Sequence, residues 1–91
     1  MILKYEFSIQ EIADKYVAVA QNRKTRTVEH VITLNGTGAL ILRALQEGKD
    51  VPEIIGLLMS EYDVQPGEAE TGVKAFIEML VKNGLALPNI E

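Results

Sequence analysis

Arg26-Thr27-Val28-Glu29-His30-Val31-Ile32-Thr33-Leu34-Asn35-Gly36-Thr37-Gly38-Ala39-Leu40 is the stretch where the period of the chain changes. Up to Leu34, Val28, His30, Ile32 and Leu34 share one face of an extended chain. Thr27, Glu29, Val31 and Thr33 share the other, which is strand periodicity. Beyond Asn35, Leu40, Ile41, Ala44 and Leu45 recur at helical spacing. Asn35 suits an N-cap, because its side-chain oxygen can accept from the free amides of the first turn. Gly48 stands where a left-handed residue usually ends a helix. The stretch therefore predicts a strand over about 26–34 running straight into a helix over about 36–47.

Upstream, Tyr16 to Ala20 is aromatic and β-branched, with Val17 and Val19 facing one way, and predicts a strand over about 16–21. Leu3, Tyr5, Phe7 and Ile9 alternate with Lys4, Glu6 and Ser8, which predicts a first strand over about 3–12. Asp14-Lys15 reads as the turn between them, and Gln21 to Thr25 as a hairpin loop. Consecutive short strands usually pair, so the three form an antiparallel meander.

Downstream, Asp50 caps a second helix over about 51–62, with Pro52 and Glu53 in its first turn. Ile54, Ile55, Leu58 and Met59 give its buried stripe. Pro66 opens a third helix over about 66–83, and Glu68 and Glu70 suit its positive end. Ala69, Val73, Phe76, Ile77 and Leu80 form its apolar face. Gly84 ends it, and Leu85 and Leu87 fold back onto the core. Strands followed by helices make an α+β fold. The reading is one winged-helix-like domain over 1–91, an N-terminal three-stranded antiparallel sheet followed by a three-helix bundle. Such a sheet, covered on one face, leaves a strand edge unpaired.

The 91 residues are 47% hydrophobic and 24% charged, so a packed core is expected and disorder is excluded. The absence of cysteine excludes disulfides, thiolate nucleophiles and Cys-ligated metal sites. No apolar run approaches the ~20 residues of a membrane span, and the first residues lack the pattern of a signal peptide. A cytoplasmic protein is the expectation. Residues 1–45 carry six basic and four acidic side chains, whereas residues 46–91 carry three and nine. An acidic half is a poor surface for phosphate backbones.

Enzyme chemistry finds little support. His30 is the one histidine, so no catalytic residue, metal site or cofactor is assigned. Ser8 and Ser60 sit in no nucleophile elbow. Asn35-Gly36-Thr37-Gly38 has neither the lysine nor the spacing of a phosphate loop and reads as a helix start. His30 reads as a strand histidine, partly buried or at a rim, with direct ligand contact as the alternative. Arg23, Lys24 and Arg26 read as a solvated turn, or else as an electrostatic handle for an acidic peptide or partner enzyme, with a nucleic-acid wing as the third alternative.

The third helix would read bases in a helix-turn-helix protein and would carry basic or amide side chains. Its charged residues are Glu68, Glu70, Lys74, Glu78 and Lys82, a net −1 that is wrong for DNA. Its apolar stripe is wide, and Ile77 and Val81 could line a groove beside the third strand. An edge strand beside an apolar helix face suits an extended peptide that adds as a further strand.

Three stretches carry a family resemblance. They are Phe7 to Ala13 leading to Tyr16-Val17-Ala18-Val19; Ile32 to Ala39 at the strand-to-helix junction; and Val51 to Ile55 through Glu61-Tyr62-Asp63-Val64 to Val73, Phe76, Leu80 and Gly84-Leu85. In order and spacing the chain resembles the PqqD-like family, named for coenzyme PQQ synthesis protein D. The resemblance implies a recognition element for ribosomally synthesised, post-translationally modified peptides. Such a domain binds the leader of a precursor peptide and presents its core to a modifying enzyme, often a radical SAM maturase. It further implies that the leader pairs with the third strand and packs on the third helix. Here that means Thr27, Val28, Glu29, His30, Val31, Ile32 and Thr33, with Val73, Lys74, Ile77 and Val81. Gly36 departs from the acidic residue common at that junction, and the Asn22 to Arg26 loop belongs to no shared motif.

The leading reading is thus a non-catalytic peptide-binding adaptor whose partners are a leader peptide and a modifying enzyme. The competing one is a winged-helix DNA-binding regulator, whose binding would weaken steeply with salt. The unpaired edge also invites homodimers or exchange of the N-terminal hairpin between chains.

Overall fold

A computed structural model describes residues 2–88. The elements are β1 (Ile2–Leu3), β2 (Glu6–Ile12), β3 (Lys15–Gln21), β4 (Val28–Leu34), α1 (Gly36–Gln46), α2 (Val51–Glu61), α3 (Pro66–Lys82) and β5 (Ala86–Leu87). The fold is α+β, with an antiparallel sheet in the order β2-β3-β4 preceding three helices. Met1 and residues 89–91 of the expected 1–91 domain lie outside the described residues.

The expected first strand is two pieces. Leu3 pairs with Ala86 in a separate two-stranded sheet, and the Lys4 amide donates to the Leu85 carbonyl at 2.9 Å. Only from Glu6 onward does the chain pair with β3. The turn into β3 is Ala13-Asp14, one residue earlier than expected, because Ala13 takes a left-handed φ of 58° and Ile12 pairs with Lys15. The third strand begins at Val28 rather than Arg26, since Arg26, at φ 63°, belongs to the turn.

On β3 the core face is Tyr16, Ala18 and Ala20, and the two alanines are fully buried. Val17 and Val19 lie on the opposite face, with Val19 across from an exposed Val31. Small residues in the middle strand leave room for α1 to settle on the sheet.

The helix ends follow local chemistry. Asn35 Oδ1 accepts from the Gly38 amide at 2.8 Å. Asp50 and Glu53 form a reciprocal capping box, at 3.0 and 3.1 Å. Glu68 accepts from the Gln65 amide at 3.2 Å. Each helix stops one residue before the expected end. Gly48 and Gly84 take φ of 85° and 72°, and the residue after each donates back to the helix, Lys49 to Ala44 and Leu85 to Leu80.

Two packed clusters form the core. Phe7, Ala18, Ala20, Leu34, Leu42, Leu80 and Leu85 fill the space between sheet and helices. Ile41, Ala44, Ile54, Leu58, Ala69 and Val73 fill the space among the helices. Of the stripe expected on α2, Ile54 and Leu58 are buried, whereas Met59 is 41% exposed. In the returning tail Leu85 and Ala86 are buried and Leu87 is exposed, because a strand alternates its sides.

Candidate functional site

Strand β4 pairs with β3 along one side only, so its other edge is unpaired among the described residues. The pleat turns the N–H and C=O of every other residue toward that edge. The register slips near its start: Ala20 pairs with His30 but Gln21 with Val28, leaving Glu29 as an extra residue. Such a bulge interrupts the ladder locally. The regular edge is therefore the five residues His30 to Leu34.

Burial rises along the core face of this strand. His30 is exposed, Ile32 is half-buried and Leu34 is buried, whereas the extra residue of the bulge puts Val28, expected on this face, opposite Gln21 on the other one, where it is exposed. His30 is a rim residue, its ring edge-on to Tyr5 with centroids 5.2 Å apart. Thr27 and Thr33 are exposed.

The basic loop at the start of the strand is partly tied to its own chain. Asn22 Oδ1 accepts from the Lys24 and Thr25 amides, at 2.9 and 3.1 Å, which shapes the turn. Arg23 donates to the Tyr5 carbonyl at 3.2 Å. Arg26 pairs with Glu6 at 3.7 Å across an exposed surface, a contact worth at most about 1 kcal/mol.

Which flank of α3 faces the open edge depends on α1. That helix leaves the end of β4 and crosses the sheet, since near its far end Gln46 Oε1 accepts from the Phe7 amide of β2 at 2.8 Å. Its N-terminal turn therefore marks the β4 side and its C-terminal turn the β2 side. A hollow of about 480 Å³ lies by the first turn, where Asn35 and Thr37 meet Tyr62 of the α2 end and Gly72, Phe76 and Met79 of α3. Phe76, Met79 and Ile32 all pack against the cluster holding Leu34. The hollow thus lies at the Asn35 end of β4.

The structure does not bring the helix residues of the expected site together. Val73 is fully buried among Ile41, Ile54 and Leu58. Lys74 and Ile77 line a different hollow, of about 510 Å³, with Leu45, Gly48 and Val51 on the β2 side. Val81 packs against the cluster containing Leu80 and Leu85. The α3 residues that line the hollow by Asn35 include Gly72, Ala75, Phe76 and Met79. The sequence signal for it is the pair of small residues three apart, followed by a methionine four further on.

The charged groups of α3 are mostly satisfied within the helix. Lys74 pairs with Glu70 and Lys82 with Glu78, both at 3.3 Å. Beside the other hollow, the Lys49 ammonium is held above its ordinary pKa by hydrogen bonding to the Glu47 carboxylate. No helix among the described residues is long and apolar enough to cross a membrane.

Fold and site together define a small winged-helix-like domain with an open strand edge flanked by an apolar hollow. The family model for coenzyme PQQ synthesis protein D (PqqD) matches residues 15–86, and the chain belongs to that family. The match spans β3, β4 and all three helices, hence both walls of the candidate site. No curated protein matches the chain. Among solved structures, TbiB1 in complex with the TbiA(beta) leader peptide shares the fold, with a TM-score of 0.74, 24% identity and 100% of each chain covered. Lasso peptide synthetase B1 complexed with the leader peptide is 30% identical, with a TM-score of 0.71, over 94% of this chain and 95% of that one.

Proposed function

We propose that this protein is a non-catalytic adaptor that binds the leader of a ribosomally synthesised precursor peptide and presents it to a modifying enzyme. The observation that carries the reading is the unpaired His30–Leu34 edge lying beside an apolar hollow in a PqqD-family fold. A leader adding along that edge would gain main-chain hydrogen bonds at about 0.5–1.5 kcal/mol net each. Its alternate side chains would reach Ile32, Phe76 and Met79. The two structural neighbours are both complexes with leader peptides, which favours the same class of ligand here.

Holding the leader raises the effective concentration of the core at the partner's active site, so the adaptor needs no catalytic group of its own. The partner is a modifying enzyme, a radical SAM maturase being the class the family resemblance implies. The more identical neighbour is a lasso peptide synthetase component, which supports an enzyme of that pathway type as the second candidate. A cytoplasmic setting fits such a partner. The net −1 charge of α3 counts against the DNA reading.

The test is an amide NMR titration of labelled protein with leader peptides from short open reading frames beside the gene. Shifts concentrated in His30 to Leu34 and Gly72 to Met79 are expected. Shifts confined to Arg23–Arg26 upon adding duplex DNA would favour the regulator.

A further inference from the structure

We propose that the hollow at the Asn35 end of β4 selects a bound peptide that carries an apolar side chain next to a lysine or arginine. This inference rests on the peptide-binding reading above and names the chemistry of the segment that reading would admit. The inner wall of the hollow is apolar, with Ile41, Leu58 and Ala69 all buried. Its α3 flank is low: a Cβ built on Gly72 would meet nothing within 4 Å. A branched or aromatic side chain thus has both space and apolar partners there.

The mouth is acidic. Glu68 lines it, and Glu61 and Asp63 flank the lining residues Tyr62 and Val64. All three are exposed, and none is in an ion pair. The nearest lysines in sequence, Lys49 and Lys74, are paired with Glu47 and Glu70 and line the hollow on the β2 side. The other end of β4 carries Arg23, Lys24 and Arg26. The edge therefore runs from a basic loop to an acidic mouth. A peptide strand along it is favoured with its cation at the hollow, and the opposite polarity puts that cation toward the basic loop.

The experiment titrates short fluorescein-labelled peptides, tiled over the open reading frames beside the gene, and reads anisotropy together with amide shifts. A tile that shifts Val28–Leu34 and carries Lys or Arg beside an apolar residue is expected. Glu68→Gln with Asp63→Asn should weaken it about fivefold, and Glu68→Lys should recover a peptide whose cation is changed to Glu. Glutamine keeps the acceptor that caps α3, so the variant tests charge rather than folding. Binding with β4 shifts but no response to these variants overturns this inference and leaves the peptide reading standing. No shift in β4 with any tile overturns both. Self-association that fills the groove, dispersed by Met79→Lys, would make the occupant a second copy and also overturn it.

Discussion

The Tyr62 hydroxyl lies over Gly36, so close that a Cβ at Gly36 would sit 2.9 Å from it. Gly36 is the first residue of α1 and Tyr62 caps α2, its amide donating to the Leu58 carbonyl at 2.8 Å. The contact ties the start of one helix to the end of the next and walls the hollow beside β4. Alanine at Gly36 should gain up to about 0.5 kcal/mol of helix propensity but displace the phenol. Gly36→Ala is expected to be neutral or destabilising alone, and stabilising in a Tyr62→Phe background. Denaturant melts of the four proteins give the coupling, and a coupling of zero would mean the ring moves freely.

Met79→Ala should weaken leader binding severalfold, because Met79 joins the hollow to the cluster under Ile32. Lys74→Ala should leave it unchanged, because Lys74 lies on the opposite flank of α3. Titration calorimetry with one leader peptide decides between the two flanks. The reverse ranking would move the site to the Leu45–Val51 side.

Proline scanning of the edge separates outward from inward amides. Adjacent residues alternate, so of Val31→Pro and Ile32→Pro one removes a donor facing the open edge and the other breaks the ladder to β3. The first should fold and lose peptide affinity, and the second should lower the melting temperature. Unchanged binding by the folded variant would exclude strand addition at this edge.

Leu80→Ala should cost about 2–5 kcal/mol, since the side chain is wholly buried under the sheet. Leu87→Ala, at a residue 47% exposed, should cost well under 1 kcal/mol. Chemical denaturation measures both, and comparable losses would mean the β1–β5 pair contributes more than its exposure implies.

Ala13→Gly should stabilise by about 0.5–1 kcal/mol. The native φ of 58° costs an L-residue about 1–2 kcal/mol, and glycine relieves it at some expense in chain entropy. A lower melting temperature would show that entropy dominates at this turn.

What the sequence determined by itself is local. Asn35 with Gly38, Asp50 with Glu53, and the glycines at 48 and 84 act over three to five residues, so the helix limits were legible to within one position. The order of strands and helices, and β4 as an edge, followed from periodicity and from the pairing of neighbours in the chain. Other features were settled only by distant partners. The break at Lys4 and Tyr5 exists because Leu3 pairs with Ala86, which no local pattern signals. Likewise α3 is apolar on both flanks, and its residues cannot reveal which flank meets the open edge. The path of α1 from β4 to β2 sets the two flanks apart, with Phe76 and Met79 by its first turn and Lys74 and Ile77 by its last.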